Sequence, residues 1–125
     1  MDGEYAFIKI KRESRGAYSS VPQNVFHLYG SIKSYPLRTW INNAGFGNYG
    51  SIGNQNLERI SRMLHLNVET LTIFSSLFVR DFKDTKGTQL INVSSCGGYT
   101  IVPNAVTYCA AKFYVSILYR NESYT

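Results

Sequence analysis

The chain is short of the residues that most often announce a function. It has two cysteines, Cys96 and Cys109, too few and too widely spaced for a zinc site or a CxxC redox pair. They read instead as small buried hydrophobes in a reducing compartment. Its two histidines, His27 and His65, read as ordinary packed or surface residues, so no metal is expected. No apolar run is long enough to span a bilayer, which argues against a membrane protein. Residues Met1 to Ile10 carry acids and lack the apolar stretch of a secretory signal, which predicts a cytoplasmic location. The sequons at Asn92 and Asn121 are then chance matches. Acids are scarce as well: eight against thirteen basic residues, a net charge of +5. That excess invites a nucleic-acid reading. Only Lys9, Lys11, Arg12 and Arg15 cluster, however, and most of the ten tyrosines fall in apolar stretches, so no nucleic-acid partner is expected.

What remains is a 125-residue chain, 44% apolar, fit for one small domain with a real core. Val21-Pro22 after Ser20 marks a helix start, and Val25, Leu28, Tyr29 and Ile32 keep helical spacing up to a stop at Pro36. Arg38 to Asn42 reads as a short buried strand. A loop rich in Gly and Asn follows. Asn54 or Asn56 then caps a long helix running to about Phe82, with Ile60, Leu64, Leu71, Phe74 and Phe78 as an apolar stripe that also contains Asn67. Thr88 to Val93 is a second buried strand, Ser94 to Pro103 a loop, and a last helix begins near Asn104 or Ala105. Tyr5 to Ile10 is a candidate strand in an otherwise unplaced first twenty residues. Helix, strand, long helix, strand, helix is the order of an α/β fold with a parallel sheet. Ligands in such sheets bind beyond the carboxyl ends of the strands.

That edge is where the chemistry-bearing residues gather. Tyr108 and Lys112 are four apart, one turn on one helix face, and Ser95 lies thirteen residues before the tyrosine. An ammonium beside a phenol favours the phenolate, so such a pair can trade protons near neutral pH. A serine at the strand end can hold a carbonyl or alcohol oxygen next to them. Gly45 to Gly50 also matches GxGxxG, but the helix is expected to open several residues later, and no strand ending in an acid follows. The match is therefore read as a decoy.

Asn42-Asn43-Ala44-Gly45 at a strand end, Asn67 in the next helix, Asn92-Val93-Ser94-Ser95 at the second strand end, Pro103 and Tyr108-x-x-x-Lys112 come in one order and spacing. Together they resemble the short-chain dehydrogenase/reductase family over about Thr39 to Leu118, two-thirds of the chain. The resemblance implies a Rossmann-like doubly wound parallel sheet and hydride transfer between NAD or NADP and a carbonyl or alcohol substrate. It makes Tyr108 the catalytic acid/base. Lys112 would tune it and hold the nicotinamide ribose, Ser95 would orient the substrate oxygen, and Asn67 would hold a water of a proton relay. Asn42, Ala44 and Gly45 would lie beside the adenosine half of the cofactor. It further implies a homo-oligomer joined through the long helix and the tyrosine helix.

The sequence departs from the pattern at both ends. It contains no Thr-Gly-x-x-x-Gly-x-Gly phosphate loop, and the later strands and substrate loop of the family have no counterpart. The expectation is an incomplete domain, the middle of such an enzyme. The alternative to an oxidoreductase is thus a truncated, non-catalytic α/β fragment or interaction module.

Overall fold

In the computed structural model the described residues are 21–43 and 45–122; the candidate strand Tyr5 to Ile10, the Ser20 cap and Ala44 lie outside them. Helix α1, Val21–Ile32, leads into strand β1, Thr39–Asn42. A loop with one 3-10 turn, Ile52–Asn54, precedes α2, Leu57–Leu64. The helix continues through a π-helical segment, His65–Thr70, into α3, Leu71–Phe82. Strand β2, Gln89–Asn92, a 3-10 turn, Cys96–Gly98, and α4, Val106–Glu122, complete the order.

The two strands pair in parallel, with Thr39 opposite Gln89, Trp40 opposite Leu90, Ile41 opposite Ile91 and Asn42 opposite Asn92. Because side chains alternate along a strand, Trp40 and Leu90 share one face and Ile41 and Ile91 the other. Only the first face is covered. Trp40 packs against Tyr29, Phe74 and Phe78, with ring centroids 5.6, 5.0 and 6.1 Å away. These rings, with Val25 and Leu77, form a core built from α1, α3 and the sheet. On the other face Ile41 and Ile91 are 53% and 40% exposed, so both strands are half-buried, not buried as their composition predicts. A parallel sheet normally has both faces covered, and among the described residues nothing covers the second.

Local chemistry explains the boundaries. Asn56 caps the long helix as expected, its Oδ1 accepting the Arg59 N–H at 2.9 Å. Tyr29 ties α1 to α3 by donating to Leu77 O at 3.0 Å and Asp81 Oδ2 at 2.8 Å. The Arg80 guanidinium and then the Tyr29 hydroxyl hold the Asp81 carboxyl down at about 2. Burial first, and then Asp81, push the Tyr29 hydroxyl up. The apolar stripe of the long helix is shifted from its expected line. Met63 is fully buried and Leu64 is 41% exposed. The buried positions run Met63, Asn67, Thr70, Leu71, Phe74, Ser75 and Leu77–Phe78, crossing a π segment that no residue in the sequence announces.

Candidate active site

The sheet's carboxyl edge is set by amides. Asn42 and Asn92 stand opposite each other at the strand ends, and Asn42 Nδ2 donates to Asn92 Oδ1 at 2.7 Å and to Ser75 Oγ at 3.1 Å. Asn42 Oδ1 accepts the Trp40 indole N–H at 2.8 Å. Every polar atom of the Asn42 side chain is therefore engaged inside the protein. Its contribution is to fix the strand end, and Val93 N–H prolongs the pairing by donating to Asn42 O at 3.0 Å.

Past β1 the backbone meets Asn67. The Asn67 amide brackets Phe46, accepting its N–H at 3.2 Å and donating to its carbonyl at 3.0 Å. Gly45 permits this approach: a Cβ there would lie 2.9 Å from Asn67 Oδ1. Asn67 sits inside the π segment and is buried. An α-helix would aim the Leu71 N–H at the Asn67 carbonyl; here that N–H bonds Val68 O. The side chain of Asn67 is committed, while its main-chain carbonyl has been relieved of the ordinary helical donor.

Ser95 caps the 3-10 turn, its Oγ accepting the Gly97 N–H at 3.1 Å. With that lone pair used, the hydroxyl proton is left to donate. The turn lies hard against α4. A Cβ on Gly98 would come within 2.5 Å of Ser94 Oγ and 2.8 Å of Lys112 O. Ser94 Oγ also donates to Lys112 O at 3.2 Å, and Ser116 Oγ bonds the same carbonyl at 3.1 Å. Ser95 Oγ and Tyr108 Cε1 each lie 3.5 Å from the Cβ position of Gly97, so at most twice that distance separates them. Serine and tyrosine thus border one glycine-lined space.

Lys112 is 7% exposed, and its ammonium lies 5.8 Å from the centre of the Tyr108 ring. Burial pushes its pKa down. Among the described residues its Nζ has one acceptor, Val93 O at 3.3 Å. An ammonium carries three donors; the two left over suit a hydroxyl-rich group such as a ribose.

The glycine run after Asn43 does not form a phosphate cradle. The 3-10 turn opens at Ile52 and the helix at Leu57, both beyond Gly50. Sequence reading missed a second amide cluster here. Gln55 Oε1 accepts from Asn48 Nδ2 at 3.0 Å and from Thr107 Oγ1 at 2.9 Å, while its Nε2 donates to Gly50 O at 2.7 Å. The only signal was polar residues in a loop, which predicts no partner. His65, read as an ordinary packed or surface residue, pairs with Glu69 one turn on. No group of three metal-ligating side chains occurs among the described residues.

A family model described as short chain dehydrogenase matches residues 5–123. A relative named inactive 2-(S)-hydroxypropyl-CoM dehydrogenase 2, from Xanthobacter autotrophicus, is 29% identical over 77 residues, 62% of this chain and 34% of the relative. Among solved structures, a short-chain dehydrogenase/reductase from Vibrio parahaemolyticus matches with a TM-score of 0.72 at 24% identity, over 83% of this chain and 48% of that one. A short-chain dehydrogenase from Sphingobium yanoikuyae, in complex with NADPH, matches with a TM-score of 0.72 at 24% identity, over 80% and 40%. The chain thus spans about a third of that relative and less than half of those structures. The likeness supports an incomplete Rossmann-like fold.

Proposed function

The chain belongs to the short-chain dehydrogenase family, and on that premise we propose that its site moves a proton to or from a carbonyl or alcohol oxygen during NAD- or NADP-dependent hydride transfer. The observation that carries this reading is the convergence of Ser95 and Tyr108 on Gly97, with the buried Lys112 ammonium beside the tyrosine ring.

Ser95 donates its free hydroxyl proton to the substrate oxygen and holds it in place. Tyr108 delivers a proton to that oxygen in reduction and removes one in oxidation. Lys112 stabilises the phenolate left behind and offers its spare N–H groups to the ribose. Asn67 holds a relay water through its main-chain carbonyl, since its amide is occupied by Phe46. Asn42 and Gly45 shape the strand end beside the adenosine, Asn42 through the bonds its side chain makes inside the protein; Ala44, in the same proposed role, lies outside the described residues. When bound, the dinucleotide supplies or accepts hydride at the substrate carbon. The partner chemistry is a small carbonyl or alcohol. The exposed Leu64 on the long helix, with Phe113, Tyr114 and Ile117 on α4, supports self-association through those helices.

A second reading has one observation in its favour. The curated relative is named as inactive, which fits a non-catalytic module. Titration with NADH and NADPH, followed by nicotinamide fluorescence, separates the two. Cofactor binding, with ketone turnover lost in Tyr108→Phe, is the expected outcome. Absence of binding at millimolar cofactor favours the non-catalytic module, and turnover that survives Tyr108→Phe rules out the proton-transfer role.

A further inference from the structure

One aromatic side chain beside the site has no place in that proton chemistry. The Tyr49 ring centre lies 6.4 Å from that of Tyr108, with the planes inclined at 39°, while 71% of Tyr49 is exposed. The separation falls within the range of attractive ring pairs, so Tyr49 is held against the proposed acid/base with its outer face open.

Its position is built, not accidental. Asn48 and Gly50, on either side of it, are both fixed to Gln55, by the Asn48 amide and the Gly50 carbonyl. Gln55 is itself buried and accepts from Thr107, the residue before Tyr108. Gly50 N–H donates to Asn104 O at 2.7 Å, and both residues hold left-handed backbone, φ +123° and +60°. Asparagine is among the few residues other than glycine that take that conformation readily. Gly47 leaves room for the ring: a Cβ there would lie 3.0–3.2 Å from Tyr49 Cε2, Cζ and Oη. The loop after β1 is thereby stapled to the start of α4, and the staple holds one aromatic ring beside another. The stapled segments also carry exposed apolar side chains, Ile52 on the first loop, Val102 before α4 and Val106 at its first residue.

We propose that Tyr49 is a specificity-determining residue that favours carbonyl compounds bearing an aromatic substituent, and that Gln55 is the positioning residue that holds it there. This rests on the dehydrogenase reading of the Tyr108 site. A flat aryl group on the carbonyl carbon meets a ring face that a small aliphatic ketone leaves unused.

The test compares acetophenone with acetone in the wild-type chain, Tyr49→Phe, Tyr49→Ala and Gln55→Leu, using the ratio of their kcat/KM values. Tyr49→Ala should lower the aryl preference about three- to tenfold, the worth of one aromatic pair. Tyr49→Phe should keep it, and Gln55→Leu should lower it in the same direction. An unchanged ratio in Tyr49→Ala overturns the proposal. A parallel arm uses 1-phenylethanol and saturation-transfer NMR without turnover. A saturation-transfer signal that disappears in Tyr49→Ala and persists in Tyr49→Phe upholds the aromatic wall even where no ketone is reduced, an outcome that would refute the dehydrogenase reading alone. Equal signals in both variants, or none with the wild-type chain, overturn the wall. Tyr49 is exposed, so far-UV circular dichroism of its variants should match the wild type.

Discussion

Gly98→Ala should be among the most damaging single-methyl changes in this chain. The new Cβ would stand 2.8 Å from Lys112 O, a backbone atom, and 2.5 Å from Ser94 Oγ. Ser94 can rotate, at the loss of its bonds to Lys112 O and Ser116 Oγ. The α4 backbone cannot. Reaching the 3.4 Å of ordinary contact requires the turn and the helix to part by about 0.6 Å. Overpacking of this kind costs about 1–3 kcal/mol, or about 3–5 °C of melting temperature per kcal/mol at this chain length. Urea denaturation followed by fluorescence of Trp40, the single tryptophan, measures it directly. Gly30→Ala is the matched control. Gly30 lies in α1 with nothing within 4 Å of its Cβ position, so the same methyl should stabilise by about 0.5–1 kcal/mol. The turn that must move also carries Ser95, so ketone turnover should fall more steeply than stability does. A Gly98→Ala chain within about 0.5 kcal/mol of wild type, outside which surface changes seldom fall, would refute the close approach of turn and helix.

Asp81 has its carboxyl lowered from 3.8 to about 2, so the stability it lends is complete above 3.8 and is lost as pH falls toward 2. Asp81→Asn should flatten the acid limb of a pH-dependent unfolding curve in that window. Tyr29 has its hydroxyl raised above 10.0, so its contribution is complete below that value and lost as pH rises beyond it; Tyr29→Phe should flatten the alkaline limb. Lys112 has its pKa lowered from 10.5, so between that lowered native value and 10.5 the unfolded chain binds more protons and stability should rise with pH. Lys112→Met should abolish that slope, keep the urea midpoint at neutral pH no lower than wild type, and eliminate turnover. Gly45→Ala, whose Cβ would meet Asn67 Oδ1 at 2.9 Å, should displace that amide from Phe46 and cost about 1–3 kcal/mol by thermal melt.

The residues that were legible in the sequence are those whose signal is local or ordered along the chain. Asn56, one of two candidate caps with Asn54, marked a helix start because a cap needs only its own next turn. Pro36 announced the end of a helical pattern, and Arg38 to Asn42 a strand, which the fold forms at Thr39–Asn42. Asn67, Ser95, Tyr108 and Lys112 were singled out as candidates by order and spacing, and the fold places Ser95 and Tyr108 beside Gly97 with Lys112 next to the tyrosine ring. What escaped was long-range or re-phased. Gln55 joins residues 48 and 107, and no periodicity encodes a side-chain amide's distant partners. Gly98 looked like loop composition until α4 closed on it. Leu64 was assigned to the core because a uniform 3.6-residue period was drawn through a segment that winds differently.

A π-helical turn also has a rotational meaning. Each residue added to a helix rotates the remainder of that helix by about 100°, so His65–Thr70 lets α2 and α3 choose their inward faces separately. Two sequences of helical repeat, each in phase with its own neighbours, are joined by a local change of pitch. The wider π turn absorbs one residue beyond the α period, so removing one residue within 65–70 would restore regular winding and leave Met63 on one side and Phe74 and Phe78 on the other still facing their partners. The bond between Asn67 and Phe46 lies at the pivot. The orientation of the long helix toward the core and the placement of a proposed relay residue are therefore one geometric quantity.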